Sequence, residues 1–569
     1  MGEMRSAERS LQDADGESRF QASRGIRRKN ETHTAQWLVR ALAALLILIL
    51  SSTSASASET NVQALAPQKI LERRCAPCHQ RLPDGGYSRI SRIRAVPEAW
   101  DMTIIRMRRV QHARVSPTEQ AQLVKYLADS QGLAPDEAAP YRYILERRPN
   151  YIEQIPNAQL GLVCGSCHSL GRVGLERRPA DEWLKLADFH LGQFPSIEYH
   201  SRLRSVQWWE IASTQMPAEL EKRFPFDSAA WKRWSEHKSA DLSGEWRVTG
   251  HEPGAGDYRG ALVIAKSDGD DRYSVHWRLN FERGKSIRGD GSAILYTGYE
   301  WRASTTLDGK AVRQVLAVAP DGESMTGRWY YTETDERGGE MRAVRIKAGT
   351  SQVLAVQPSS IRAGAKARLT IAGINLNGDL RLGDGIKVVE NVSQGPGEIV
   401  VIAQADENAA DGIRDISVGD VSGKSLLVVY HRLDSLRVEP DYAIARVGGN
   451  GGPIPPVTAQ FEAIGYLNGP DGKAGTPDDI RVGVVAAKWS VAPFDETAAA
   501  MQDVKFAGKM DANGLFMPAG AGPNPKRRFG TNNTGNLKVL ARVEDQNKPL
   551  SANAQLIVTV QRWVDPPLR

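Results

Sequence analysis

The spacing of apolar positions changes twice along this 569-residue chain. The strongest apolar run, Ala41 to Leu50, follows Arg40 and the basic triplet Arg27, Arg28, Lys29, and is itself followed by the small-residue stretch Ser51 to Ser58. Basic, then apolar, then small residues is the layout of a secretory signal cleaved after Ala57. Residues 1–58 therefore read as signal peptide and leader, and the mature chain as exported to the periplasm. The polar stretch ahead of the run is long for such a signal, which leaves a start codon downstream of Met1 open. A bilayer span needs about 20 apolar residues and this run is about half that, so no membrane span is expected after cleavage.

From residue 59 to 240 the apolar spacing is helical, and it repeats. Pro97-Glu-Ala-Trp100 leads to Ile104 and Met107; Pro179-Ala-Asp-Glu-Trp183 leads to Ala187 and His190. Offsets of four and seven from the tryptophan lie on one face of a helix. After the first copy, Ser116-Pro117-Thr118-Glu119 combines an N-cap serine, a proline at the first helical position and a capping-box glutamate, ahead of Leu123, Val124 and Leu127. Gly132 is the expected stop. Trp208, Trp209, Ile211 and Ala212 form a looser counterpart. Two all-α units, 59–150 and 151–240, are expected.

From Ser243 the period shortens to two, and Gly, Asp and Asn punctuate short runs, the texture of antiparallel β domains. Residues 241–350 hold Gly244-Glu-Trp246, Tyr273-Ser-Val275-His-Trp277, Ile294-Leu-Tyr296, Val315-Leu-Ala-Val318 and Gly327-Arg-Trp329-Tyr-Tyr331, with turn signals at Asp268-Gly269-Asp270 and Asp308-Gly309. This predicts a small lipocalin-like β-barrel with tryptophans plugging it. Residues 351–432 and 433–569 read as two immunoglobulin-like sandwiches. The excursion Asn468 to Asp479 has Asp and Gly at spacings a Ca²⁺ loop uses, but it lacks the bidentate glutamate of an EF-hand and reads as a solvated turn.

Length exceeds what one hydrophobic core organises, and 41% hydrophobic with 25% charged residues is the balance of a folded globular protein. The formal charge is only +6, and no Lys/Arg block stands outside the targeting region, so no nucleic-acid partner is expected. The four cysteines change the picture more. An exported protein with an even count normally forms disulfides. Here all four fall in Cys75-Ala-Pro-Cys78-His79 and Cys164-Gly-Ser-Cys167-His168. C-x-x-C-H is the c-type haem attachment pattern: two thiols at this spacing add to the two vinyl groups of one porphyrin, and the adjacent imidazole ligates the iron. A thioredoxin-like pair or half a zinc site are the competing readings. Two copies, each followed by His, with no further cysteine, decide for two covalent haems.

His79 and His168 are thus the expected proximal ligands. Met107 is the expected sixth ligand of the first iron, with Met102 and His112 as alternatives. His190 is expected for the second, with His200 and Met216 as alternatives. A thioether ligand raises a haem's potential relative to imidazole. Trp100 and Trp183 are expected beside the porphyrins.

Tandem C-x-x-C-H units with this Trp/Met and Trp/His repeat, followed by a barrel and two sandwiches, resemble the α subunit of quinohaemoprotein amine dehydrogenase. The specific matches are the two haem motifs, Trp100 to Gly132 and Trp183 to Pro195; the β segments match in order and kind. The resemblance implies an electron-transfer role in oxidative deamination of primary amines. The substrate would react at a cysteine tryptophylquinone in a separate small γ subunit, with a propeller-type β subunit completing a heterotrimer. Electrons would pass from the second haem to the first and then to a soluble copper protein or cytochrome. The chain shows no nucleophile with an obvious base, no P-loop and no dinucleotide fingerprint, and its cysteines are committed, so amine chemistry is expected in another polypeptide. A di-haem peroxidase, with an exchangeable distal site, and a generic di-haem carrier with partner-binding β domains are the alternatives.

Overall fold

The computed structural model describes residues 65–193, 207–450 and 454–561. The expected signal peptide, His200 and Pro195 lie outside these residues. Among the described residues no helix is long and apolar enough to cross a membrane.

The region carrying the two C-x-x-C-H motifs departs from the all-α expectation. Its longest helices are Pro117–Ser130 and Ala180–Gln193, each of 14 residues, and Pro97–Arg109 has 13. Between them run π-helical turns, 3₁₀ turns and a two-stranded antiparallel ladder in which Arg94 faces Arg177 and Ala95 faces Glu176. The ladder has a physical reason: Arg94, Ala95 and Arg177 are buried, and extended backbone taken out of water must pair its N–H and C=O groups. It also joins the two units. Arg94 donates two bonds of 2.9 Å to the Glu137 carboxylate, and Arg177 stands 3.4 Å from it. Prolines and short capped segments keep the helices brief. Ser116 caps Pro117–Ser130 through a full capping box with Glu119.

Eight antiparallel strands, from Gly244–Glu252 to Gly338–Arg345, pair each with the next, and the last pairs with the first to close a barrel. Asp308 and Gly309, both at positive φ, form the two-residue turn that sets Leu307 opposite Lys310. Trp246, Trp301 and Trp329 are fully buried. Their indole N–H groups are satisfied by Leu242 O, Gln314 Oε1 and the Tyr258 hydroxyl at 3.0, 3.1 and 2.9 Å, so the barrel is filled by side chains. Val96, Leu133, Ala138, Leu145 and Leu175 of the helical region belong to the same apolar cluster as this filling. The barrel and the helical region therefore share a core. Arg302 of the barrel adds an ion pair of 2.5 Å with Glu98 at the start of the Trp100 helix.

Residues 352–430 form two four-stranded sheets around one apolar cluster. The last region is less simple than a two-sheet sandwich. It has sheets of three, four and three strands and two short helices, Glu496–Ala500 and Asp503–Phe506. In the 468–479 loop the carboxylates are occupied internally: Lys473 N donates to Asp471, Asp471 N to Asp478, and Gly475 N and Arg437 to Asp479. Among the described residues no group of three metal-ligating side chains is placed to hold an ion.

Candidate functional site

Each C-x-x-C-H motif closes a short helix in the same way. Pro67–Ile70 widens into the π-helical turn Leu71–Cys75, and Ala158–Leu160 into Gly161–Gly165. Such wide turns move the following side chains off the regular helical rows and are frequent at functional sites. In the first motif Cys78 N and His79 N return to Cys75 O at 3.0 and 2.9 Å; in the second, Cys167 N and His168 N return to Cys164 O, both at 3.4 Å. Two thiols and an imidazole are thereby held on one turn of backbone. No disulfide joins the cysteines, and in each pair the first is half-buried and the second exposed. Burial, with the partner cysteine beside it, pushes Cys75 and Cys164 up to about 11. That is opposite to the depressed thiol of a thioredoxin-like redox pair.

The imidazoles are anchored alike. His79 Nδ1 donates to Ser88 O and His168 Nδ1 to Ser169 O, each at 2.9 Å. A carbonyl only accepts, so Nδ1 carries the hydrogen and Nε2 presents a lone pair, the tautomer an iron ligand requires. Burial, together with the Arg172 and His190 charges, holds His168 below the usual histidine range, which favours the neutral ring.

One brace gave no sequence signal. Glu153 accepts from Leu170 N at 2.9 Å, from Gly171 N at 3.3 Å, and from the hydroxyls of Ser169 and Tyr143. It thereby holds the residue whose carbonyl orients His168. An isolated glutamate in a loop carries no motif; only the fold reveals its four donors.

The other expected site residues divide between core and rim. Trp100 and Ile104 pack in one cluster with Leu71 and Cys75, while Met107 and Met102 are half-buried outside it and His112 is exposed. Trp183 and Met216 pack in one cluster with Val163 and Cys164. His190 lies outside it on the last turn of its helix, with Nδ1 donating to Leu186 O at 2.7 Å. The two tryptophans differ at the indole nitrogen. Trp100 Nε1 donates to Gln131 O at 3.4 Å, whereas Trp183 Nε1 is buried with no partner among the described residues. Ile152, Ile155, Leu162, Leu184 and Leu191 are exposed in the second unit. An orphaned indole N–H in a unit that leaves these apolar side chains uncovered fits a large, flat, mainly apolar group with polar edges, as a haem is.

Comparison with known families agrees in four consecutive matches. Residues 65–231 match "Quinohemoprotein amine dehydrogenase A, alpha subunit, haem binding", and 239–346, 350–431 and 436–568 match alpha subunit domains II, III and IV of the same enzyme. The chain belongs to this family. As a quinohemoprotein amine dehydrogenase alpha subunit it is a haem-binding, electron-transferring part of a multi-subunit oxidoreductase. No curated protein matches the chain in sequence. Among solved structures, a redesigned β-barrel aligns at 16% identity and TM-score 0.17, over 19% of this chain and 92% of that one. A Bacteroides ovatus protein from a mixed-linkage glucan utilization locus, in complex with a heptasaccharide, aligns at 10% identity and TM-score 0.18, over 55% of this chain and 60% of that one. Domains 5–6 of the S-layer protein SbsC align at 12% identity and TM-score 0.15, over 37% and 98%. Likenesses this slight play no part in the family assignment.

Proposed function

We propose that the chain is the di-haem c-type electron-transfer subunit of a periplasmic amine dehydrogenase, with one haem joined to Cys75 and Cys78 and a second to Cys164 and Cys167. The observation that carries this reading is the pair of matching turns in which His79 and His168 each spend Nδ1 on a backbone carbonyl and present Nε2. When bound, haem supplies reversible one-electron chemistry at iron. The chain's own residues would supply the rest: the cysteines would anchor the haems covalently, His79 and His168 would ligate the irons, Met107 and His190 would be the second protein ligands, and Trp100 and Trp183 would line the haem sites. Electrons come from a cysteine tryptophylquinone in a small γ subunit, which oxidises primary amines alongside a propeller-type β subunit. They leave to a soluble copper protein or cytochrome. The signal-like N-terminus supports export.

Mass spectrometry of the mature chain tests attachment: two haem masses that survive denaturation are expected, and a chain of bare polypeptide mass overturns the reading. Copurification of a quinone-staining small subunit is the expected companion result. Tight carbon monoxide binding to the reduced protein would point instead to an exchangeable site of the peroxidase kind.

A further inference from the structure

Between the two haem-motif units lies a group of positive charges that the attachment chemistry does not use. The Arg106 guanidinium sits 4.6 Å from the centre of the Phe189 ring. Arg106 immediately precedes Met107, and Phe189 immediately precedes His190, so this contact brings together the turns that bear both candidate sixth ligands. Arg178 stacks 5.7 Å from the Trp183 ring and donates to Glu176 Oε2 from Nε and Nη2 at 2.9 and 2.5 Å. The Glu176 carboxylate acts on Arg106 through its charge, and it is already engaged by Arg178. Arg172, four residues beyond His168, adds another positive charge acting on both Glu176 and Arg106.

A half-buried guanidinium in such company is costly unless an anion answers it. No side chain among the described residues accepts a hydrogen bond from Arg106. A haem carries two carboxylates on its edge, and a planar guanidinium binds a carboxylate with two parallel hydrogen bonds. We propose that Arg106 is a propionate-binding residue at the junction of the two haem units, and that its fixed charge raises the reduction potential of both irons. The inference rests on the two-haem reading above. Its physical basis is that reduction removes one positive charge from an iron centre, so a nearby cation in a poorly screened site favours the reduced state.

The test uses the full chain purified with its haems, as wild type, Arg106→Gln and Arg106→Lys. Midpoint potentials come from spectroelectrochemical titration, and the propionate bending band from resonance Raman spectroscopy. Arg106→Gln is expected to lower both midpoint potentials and shift the propionate band, while Arg106→Lys restores most of the potential shift. Arg109→Gln, an exposed change on the same helix, is expected to move neither. A haem count on each sample separates the two claims. Fewer than two haems in the wild type overturns both. Two haems with unchanged potentials and an unchanged band in Arg106→Gln overturns the Arg106 assignment alone.

Discussion

The two C-x-x-C-H turns share their backbone path and differ in what steadies the imidazole. In the first, the acceptor of the His79 proton is Ser88 O, nine residues on, in a loop that closes on itself through Ser88 N to Gln80 O at 2.7 Å and Leu82 N to Gly86 O at 2.8 Å. A Cβ on Gly86 would stand 2.6 Å from the Ser91 hydroxyl, so this closure needs glycine. In the second, the acceptor is the very next residue, Ser169, and that residue is held by Glu153. A backbone carbonyl imposes the same tautomer in both; in the first it is steadied by loop backbone, in the second by a carboxylate that holds Ser169. In the second arrangement the Glu153 charge acts on the ligand itself.

The largest test of this comparison removes attachment from one unit at a time. Cys75→Ala/Cys78→Ala and Cys164→Ala/Cys167→Ala are each expected to lose one covalent haem and keep the other, read as a mass drop of one haem. Loss of both from either variant would mean that the units are not independent. Next comes the clamp common to both. Removing one partner of a buried ion pair costs about 3–5 kcal/mol, so Glu137→Ala is expected to lose stability of that order in chemical denaturation. Burial opposes ionisation of Glu137, but the Arg94 hydrogen bonds and charge win, and its carboxyl is held down to about 2. A depressed folded value means that the stabilisation is present above the ordinary carboxylate range and is lost as pH falls toward 2. Acid titration of wild type against Glu137→Gln reads this difference.

Glu153→Gln separates the two units. Leaving this half-buried hydrogen-bonded site poorly matched costs at most about 1–3 kcal/mol, and the spectral change is expected at the second haem alone. An equal change at the first haem would erase the distinction. The smallest expected effect concerns the tryptophans. Trp100→Phe removes the bond to Gln131 O, worth about 0.5–1.5 kcal/mol, in haem-free and haem-loaded chain alike. Trp183→Phe loses packing in either state but no protein hydrogen bond, so it is expected to lower the melting temperature more with haem bound than without.

How far these features were legible in the sequence depends on the range over which each is determined. The capping box at Ser116 and Glu119, the Asp308-Gly309 turn and the C-x-x-C-H spacing are each written within a few residues, because caps, turns and porphyrin attachment act over that distance. The expectation of an all-α helical region failed at Arg94–Ala95 and Glu176–Arg177. Two residues are too few to carry a strand period, and each pairs with a segment about 80 positions away. Glu153 and Arg106 were equally silent: a lone charged residue has no pattern until packing supplies its neighbours.

By itself, then, the sequence determined the local chemistry: which thiols stand beside which imidazoles, where chain direction reverses, and which aromatic residues are available to fill a barrel. Tertiary structure alone decided which carbonyl takes each histidine proton, which carboxylate braces the second motif, and that Arg106 meets Phe189 between the two candidate ligand turns. Backbone spacing acts through bonds over a few residues, whereas charge pairing and burial act through space between segments that only folding brings together.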